Sequence, residues 1–502
     1  MEMQTGTGRH NFDFILKKIS LHKTEWILTL LFFILSLIGV LYHEIWLDEA
    51  QHYLLARDSK SISDLIYNCR MEGHPLLWNL LLFFITRFSR EVVYMQLLHI
   101  IINCCTVYLI AGTRLKLFEK ICIIFSYFIF YEYNIISRNY GLATLMMLFI
   151  GIGYFNKSIR LIPLSIAFLV LANTHLYGLL FSVAFIACLL IYDRKYLFNN
   201  KNHFLLASVI YILGMLIALL TIVPRNNYTH LFIQYENSGF LSTDRIIKTL
   251  SVCLKGIFYL PDFSKSGSGI ENSSYIFEHI NSTFILLCIS LIAIAIPAFL
   301  FRKNKFALVL FISYFIFYGV CNYFLPLING TRYFGFFYIV FVICYIISRG
   351  NMNRGEKLFA AGIFLLQMFN GIYFYTTDLN KQFSVTKTTS SYLSRQFDDD
   401  ARILILDRTI RPSISAYTKR KYFGIETGTP RSWCLWQNEL TPDESKIKID
   451  SVLQSNQQTW IITGQRLPDY IDSTKIELIK QFDDSMLKNE RIVIYRFNRT
   501  EK

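Results

Sequence analysis

The stretch from His43 to His52, which reads HEIWLDEAQH, follows directly on an apolar run from Trp26 to Tyr42. A run of that length is close to the roughly 20 residues that cross a bilayer as a helix. Three carboxylates, Glu44, Asp48 and Glu49, then follow within a few positions. Because ionisable groups at a membrane surface are costly to desolvate, this cluster is a candidate site. The alternative is a solvated loop, and we expect Glu44 and His52 to be solvated in either case.

The composition indicates a membrane protein that crosses the bilayer many times. Of the 502 residues, 53% are hydrophobic and only 17% are charged, whereas soluble chains carry about 25% charged residues. The formal net charge of +14 is explained by basic residues in short loops between apolar runs, which favour the cytoplasmic side. We therefore expect no nucleic acid as a partner.

The ten cysteines do not form a framework of their own. Eight of them lie in or beside apolar segments, and the chain has no CxxC spacing. They are therefore interpreted as small buried apolar residues, without a zinc site or a set of disulfides. The first apolar run lacks a small-residue cleavage site, which predicts a retained helix instead of a removed signal peptide.

The distribution of basic residues predicts the topology. Lysines before the first run place residues 1–25 in the cytoplasm and Asp48 outside. Alternation of the later basic loops then gives about eleven spans in a transmembrane domain of residues 26–375. Residues 75–88 are too short to span and should lie along the outer interface or dip into it, and residues 245–260 could form an amphipathic interfacial helix. The predicted spans are 26–42, 91–113, 121–136, 141–155, 161–174, 178–192, 204–223, 275–301, 306–327, 334–347 and 358–375.

Residues 376–502 differ in pattern from the rest of the chain. Their apolar runs shorten to the length of strands at 401–406, 459–463 and 491–496, and a polar helical stretch covers 443–455. Such a pattern predicts a small α/β domain. By the same alternation this domain is extracytoplasmic, on the side of Asp48.

Polar residues at the outer ends of the predicted spans have complementary chemistry. A carboxylate such as Asp48 in a partly dehydrated pocket can act as a general base toward a hydroxyl. Arginine pairs bidentately with phosphate, so Arg138 and Arg332 can hold an anionic leaving group. This combination points to group transfer from a phosphorylated donor. The outer side also collects Glu72, His74, Tyr140, His175, Tyr177 and Tyr333.

Four motifs, together, resemble one family. They read WLDEA at 46–50, GHPLL at 73–77, SRNYGL at 137–142 and THLYG at 174–178. In order and spacing they are similar to bacterial protein-mannosyltransferase-like glycosyltransferases (family 39-like) of the multi-spanning GT-C class. That group includes the lipid A aminoarabinose transferase and protein O-mannosyltransferases. The motif TRYF at 331–334 is similar to a later arginine-tyrosine element of the family.

The resemblance implies an enzyme that takes a sugar from a polyprenyl-phosphate-linked donor. The acceptor, a lipid, glycan or protein, would lie outside the cytoplasm, and the displacement would be inverting. Asp48 would be the catalytic base with Glu49 in support. The donor phosphate and substrate would be bound by the following residues: His74, Arg138, Tyr140, His175, Tyr177 and Arg332. The resemblance also implies that the protein lies in a bacterial inner membrane and acts in a cell-envelope pathway.

The chain departs from the family pattern at two motifs. The family usually has two prolines after the histidine, but here Pro75 is followed by Leu76. Many members have a glutamate just before the motif arginine, whereas the nearest acid here is Glu132, six positions before Arg138.

Several alternatives remain open from the sequence. The chain could be a lipid or glycan flippase or transporter of the same pathway, or a polysaccharide polymerase or ligase. The two arginines could be interfacial anchors, and His175 and Tyr177 ordinary interfacial aromatic residues. Asp48, Glu49 and His74 could in principle ligate a hard cation, but no full ligand set is visible. We expect no cofactor and no metal requirement, although the sequence does not exclude a divalent metal.

Overall fold

The structure is a computed structural model. It describes residues 22–223, 242–263, 274–324, 330–398, 400–426, 429–436, 441–453, 458–464, 467–469, 471–487 and 490–498. Nearly all of the predicted cytoplasmic segment 1–25 lies outside these ranges. The helices in chain order are α1 (Lys23–Tyr42), α2 (Leu47–Asp58), α3 (Ile62–Asn68), α4 (Leu77–Phe88), α5 (Val93–Ala111), α6 (Leu117–Ile124), α7 (Asn139–Phe155), α8 (Leu161–Ala172), α9 (Leu176–Tyr192), α10 (Arg194–Phe198), α11 (Lys201–Ile222), α12 (Thr243–Leu250), α13 (Val252–Gly256), α14 (Tyr275–His279), α15 (Thr283–Phe301), α16 (Lys305–Phe324), α17 (Thr331–Ser348), α18 (Arg354–Asn380), α19 (Thr386–Gln396), α20 (Arg411–Thr418) and α21 (Pro442–Leu453).

The predicted class of polytopic helical membrane protein is confirmed. Within the described ranges, seven helices are long and apolar enough to cross a membrane: α1, α5, α11, α15, α16, α17 with the turn after it, and α18. Four shorter apolar helices, α4, α7, α8 and α9, accompany them. Many side chains on α1, α11 and α15 are exposed apolar groups, as expected for surfaces that face lipid.

Three predicted segments differ in detail. The span 121–136 is not one helix, because α6 ends at Ile124 and a π-helical turn, Tyr127–Glu132, follows it. The span 275–301 begins instead at Thr283, where Ser282 caps α15 by accepting a hydrogen bond from the Ile285 N–H. The stretch 245–260 forms the two short helices α12 and α13 instead of one interfacial helix, and α13 is buried.

Helix α17 lies at the centre of the bundle and is almost entirely buried. Its entry is fixed by Tyr133, whose hydroxyl donates to the Arg332 carbonyl at 2.5 Å. Gly335 makes this approach possible, since a Cβ there would lie 2.2 Å from the Phe128 ring and 2.4 Å from the Tyr133 hydroxyl. The broken third span therefore holds the beginning of α17 in place.

The C-terminal part contains a six-stranded sheet with the order β3-β2-β1-β4-β6-β5. Strand β1 is parallel to β2 and β4, and the other neighbours are antiparallel. The three predicted strands are confirmed as β1, β4 and β6, and the predicted helix as α21. The strands are β1 (Arg402–Ile405), β2 (Tyr422–Gly424), β3 (Pro430–Arg431), β4 (Thr459–Thr463), β5 (Ile476–Phe482) and β6 (Ile492–Phe497).

This C-terminal part is docked on the segment that joins α1 to α2. The Ile45 N–H donates to the Tyr417 hydroxyl at 2.7 Å, and the Phe383 N–H donates to the Glu44 carboxylate at 2.7 Å. Helix α20 packs along α2. The α/β part therefore lies directly against the acidic stretch of residues 43–52.

Candidate functional site

Asp48 is the centre of a partly buried ion cluster. Its Oδ2 atom lies 2.6 Å from Nη1 of Arg138 and 2.7 Å from Nη1 of Arg332. Its other oxygen, Oδ1, makes no hydrogen bond within the described part of the chain, and the side chain is 18% exposed. One face of the carboxylate is thus neutralised while the other is open to a reactant.

The three charged residues come from three separate elements, each at a helix start. Asp48 lies in the first turn of α2, where a carboxylate also interacts favourably with the helix dipole. Arg138 is the residue before α7, and Arg332 is the second residue of α17. Gly141 lets α7 begin close to α5, since a Cβ there would lie 2.6 Å from the Asn103 amide nitrogen.

The electrostatics hold Asp48 in its charged form. Burial by itself would raise the pKa of Asp48, but Arg138 and Arg332 outweigh it and lower this pKa to about 2. Arg138 is only 2% exposed and is paired with Asp48, whereas an arginine that anchors a helix end at the interface extends its guanidinium group into water.

Several hydrogen-bond donors around this cluster have no acceptor. Among the described residues, the buried polar atoms that make no hydrogen bond include five near this cluster: Nε of Arg138, Nε of Arg332, the Tyr140 hydroxyl, Nε2 of His175 and Nε1 of Trp46. Buried donors are normally paired, so these five are available to an acceptor-rich ligand. A phosphate group supplies such acceptor oxygens.

Histidine and tyrosine rings line one side of the cluster. The ring of His74 lies 5.6 Å from that of His52 and 6.2 Å from that of His175. The His175 ring in turn packs 5.0 Å from Tyr140 and 5.2 Å from Tyr177. The structure therefore places His74, Tyr140, His175 and Tyr177 in one series of packed rings, which reaches the Asp48 cluster where Arg138 lies over the Tyr140 ring.

Burial keeps two of these histidines neutral. It lowers the pKa of His52 to about 4 and that of His74 to about 3, and the positive charge of Arg138 acts in the same direction. Neutral imidazoles can accept as well as donate a hydrogen bond. These rings are therefore suited to line a sugar hydroxyl without adding charge.

Glu49 has a different environment from its neighbour Asp48. Its Oε1 accepts from the Ser137 N–H at 2.7 Å, and its Oε2 lies 3.1 Å from Nε2 of His43. The other ring nitrogen of His43 lies 2.8 Å from Asp378 at the end of α18. Burial would lower the pKa of His43, but Asp378 and Glu49 together raise it to about 10. Glu49 is thus placed to anchor the loop that carries Ser137 to the beginning of α2.

The expectation of solvated side chains at Glu44 and His52 is wrong. Both residues are buried. Glu44 is bound to the backbone of Phe383, and Nδ1 of His52 lies 3.0 Å from the amide oxygen of Asn79. The burial of Glu44 and His52 was not predictable from the local sequence. Their hydrogen-bond partners come from beyond α18 and from α4, respectively.

Glu72 connects the site to the C-terminal part. Its carboxylate accepts from Nε2 of Gln51 at 2.8 Å and from Nε1 of Trp436 at 3.3 Å. The amide of Gln51 also makes two hydrogen bonds with the backbone of Cys434, each of 2.8 Å. Gln51 lies one helical turn after Asp48, so these bonds fix the orientation of α2. Glu72 was recognised in the sequence as a polar residue of the outer side, but no sequence pattern pointed to Gln51, Cys434 or Trp436.

Glu72 should make the stability of the protein depend on pH. Burial raises the pKa of Glu72 to about 8, although Gln51 and Trp436 lower it in part. A carboxyl whose pKa is higher in the folded state stabilises fully below its unfolded value and loses that stabilisation as pH rises toward 8. Glu72→Gln keeps a neutral group there, so we expect its melting temperature to fall less than that of wild type between pH 5 and about 9.

Thermal unfolding of the two proteins across that pH range measures this difference. His43 adds its own pH dependence to both proteins, so the difference between them isolates Glu72. Identical pH curves for the two proteins would show that Glu72 is ionised throughout.

The described residues contain no group of three His, Cys, Asp or Glu side chains placed to hold a metal ion. Asp48 and Glu49 point to different partners, and His74 packs against other rings. The three residues that could in principle have ligated a hard cation thus do not form a ligand set here.

The fold and the site define a multi-spanning membrane protein of GT-C architecture, with an acid–arginine centre under a C-terminal α/β part. Among solved structures, the chain is similar to a crystal structure of ArnT from Cupriavidus metallidurans bound to undecaprenyl phosphate. The TM-score is 0.52 and the sequence identity is 10%, with 94% of this chain and 98% of that one covered. ArnT is a lipid A aminoarabinose transferase, so the predicted resemblance in architecture is confirmed. No family model and no curated protein sequence matches the chain.

Proposed function

We propose that this protein transfers a sugar from a polyprenyl-phosphate-linked donor to a hydroxyl of an extracytoplasmic acceptor, by an inverting displacement. One observation carries the proposal. Two arginines from distant helices meet at a single oxygen of Asp48, while their own Nε–H groups and the neighbouring Tyr140 hydroxyl have no acceptor within the described residues. A cluster of this kind offers charge and donors to a phosphate beside a carboxylate base.

The proposed reaction uses the two faces of Asp48 differently. The free Oδ1 accepts the proton of the acceptor hydroxyl, and the resulting oxygen attacks the anomeric carbon of the sugar. The bond from that carbon to the phosphate oxygen breaks, and polyprenyl phosphate leaves with the bonding electron pair. Arg138 and Arg332 stabilise the charge on the leaving phosphate, which is an electrostatic contribution of the oxyanion-hole type.

Donor binding would also make Asp48 a stronger base. With both arginines on its Oδ2, Asp48 has a pKa of about 2, even though burial opposes this shift. Such a carboxylate is a weak base. A phosphate that shares the two guanidinium groups weakens their hold on Asp48, so we propose that the pKa of Asp48 rises when the donor is bound.

We also propose how the two parts of the chain are placed relative to the membrane. Residues 26–375 form the transmembrane part, and residues 376–502 form the extracytoplasmic part that covers the site, in a bacterial inner membrane with the N-terminus in the cytoplasm. The acceptor is a lipid, a glycan or a protein. The docking of Cys434 and Trp436 onto Gln51 and Glu72 supports a role of the C-terminal part in acceptor binding or in positioning α2.

A flippase or transporter for the same lipid is the second candidate. Transporters keep their binding groups near the midplane of the bilayer. In this structure the charged groups gather at the ends of helices, around the starts of α2, α7 and α17. This placement favours transfer over transport.

A transfer assay in membranes tests the proposal. Membranes that contain the wild-type protein should move radiolabelled sugar from undecaprenyl phosphate to an endogenous acceptor, and membranes without the protein should not. If a panel of sugar-linked undecaprenyl phosphates yields no transfer with correctly folded protein, the transferase proposal fails.

We expect transfer not to depend on a divalent metal. The proposed leaving group is stabilised by Arg138 and Arg332, so a metal has no required task in it. Activity measured with excess EDTA should equal activity without EDTA. Loss of transfer with EDTA and its recovery with Mg²⁺ or Mn²⁺ would contradict this expectation.

A further inference from the structure

A large cavity lies at the end of the bundle that is opposite to Asp48. Its volume is about 680 Å³. It lies between the turn that joins α7 to α8 and the turn that joins α9 to α11. Helix α7 begins beside Arg138 and ends at this cavity, so the two sites are separated by the length of that helix, about 25 Å at 1.5 Å per residue.

The rim of the cavity is positively charged. Lys157, Arg160, Lys195 and His203 line it, together with a single acid, Asp193. Both oxygens of Asp193 are already engaged, one by the Tyr154 hydroxyl at 2.6 Å and the other by the Tyr196 N–H at 3.2 Å. Within the described residues, none of the three lysine and arginine side chains has an acidic partner.

Three other basic residues at the same end are paired with an acid. Arg302 and Lys303 lie 2.7 and 3.1 Å from Glu356, and Arg349 lies 2.8 Å from Glu119. The unpaired cations around the cavity therefore differ from these neighbours. Lys157 also has a φ of 53°, a conformation usually taken by glycine after a helix.

The floor of the cavity and its surroundings are apolar. Phe155, Ile159 and Leu161 contribute to the lining. Next to it, α11 presents exposed apolar side chains, with Leu205 52% and Leu206 49% exposed, which fits a surface in contact with acyl chains. The cations of the rim therefore lie beside a surface that faces lipid.

We propose that this cavity binds the phosphate headgroup of an anionic glycerophospholipid, with Lys157, Arg160 and Lys195 around the phosphate and the acyl chains along α11. Basic pockets at the ends of membrane helices attract such headgroups electrostatically. The proposal does not depend on the transferase activity, because it concerns the other end of the bundle.

Lipid retention measures this binding. Wild-type protein is reconstituted in vesicles of phosphatidylethanolamine with a minor fraction of phosphatidylglycerol, extracted in mild detergent, and its bound lipids are quantified by mass spectrometry. We expect phosphatidylglycerol to be enriched on wild type, and the enrichment to fall about tenfold or more in the triple variant Lys157→Gln, Arg160→Gln, Lys195→Gln.

Two further variants separate charge from shape. The control triple variant Arg114→Gln, Lys116→Gln, Arg354→Gln removes three exposed cations outside the cavity and should retain lipid as wild type does. Asn199→Trp places a bulky ring at the wall of the cavity but keeps every cation, and it should reduce the enrichment. Each variant is compared at equal monodispersity in size-exclusion chromatography, so that a misfolded variant is recognised.

Three results would overturn the proposal. Equal phosphatidylglycerol retention by wild type and the cavity triple variant would show that these cations do not bind it. Equal retention by Asn199→Trp would show that any basic surface suffices. Release of the lipid by inorganic phosphate at equimolar concentration would show that the site is one for a soluble anion.

Discussion

Asp48→Asn is expected to reduce sugar transfer by about a hundredfold or more, the order of a lost general base, and at the same time to raise the affinity for undecaprenyl phosphate. Both effects come from the same contacts. The variant loses the oxygen that takes the proton of the acceptor. It also loses the negative charge that holds Nη1 of Arg138 and Nη1 of Arg332 at 2.6 and 2.7 Å, and both guanidinium groups then become free for phosphate.

The two effects are measured separately. Initial rates of transfer at saturating donor give the change in turnover, and titration of detergent-purified protein with undecaprenyl phosphate gives the change in affinity. Glu91→Gln is the matched control, because Glu91 is an exposed acid that pairs with Lys419 away from the site. An Asp48→Asn protein with full activity, or one that binds the phosphate more weakly than wild type, would contradict the competition between carboxylate and phosphate.

Arg138→Ala is expected to lower kcat/KM for the donor by about a hundredfold, the usual order for the loss of one preorganised donor to a developing negative charge. Arg332 remains on Asp48 in this variant, so the carboxylate is not left buried without a partner. Arg138→Lys should recover only part of the loss, because an ammonium group cannot replace the bidentate geometry of guanidinium.

Donor titrations of the transfer rate measure this effect. Arg90→Ala serves as the control, because Arg90 is 69% exposed and lies 3.5 Å from Asp58, outside the acid–arginine cluster. An equal loss in Arg138→Ala and Arg90→Ala would show that Arg138 acts only through its charge and does not bind the donor. A change confined to the KM of the acceptor would show that Arg138 binds the acceptor instead of the donor.

The candidate site was largely predictable because its residues lie in short motifs at the ends of apolar runs. Asp48, Arg138 and Arg332 were each visible as a charge at a helix end, and alternation of the basic loops put them on one side. What the sequence could not show were partners distant along the chain. The contact of His43 with Asp378 joins the ends of α1 and α18, and no local pattern encodes that pairing.

The fold was predictable where apolar runs were long and uninterrupted. The third span was predicted as one helix because its apolar content continues through Tyr127–Glu132, where the backbone forms a π-helical turn. In the C-terminal part, β2 and β3 have three and two residues, too few for an alternating pattern to be recognised. Strand β5 was missed because most of its side chains are exposed or half-buried.

We propose that the acid–arginine cluster promotes cleavage of the bond between a sugar and a polyprenyl phosphate. A donor that carries one label on the sugar and another on the lipid tests it directly, with purified protein in vesicles and an added cell-envelope extract as acceptor. We expect the labels to separate, with release of free undecaprenyl phosphate by wild type and almost none by Asp48→Asn. Labels that stay together while the lipid crosses the bilayer would contradict it and establish a flippase.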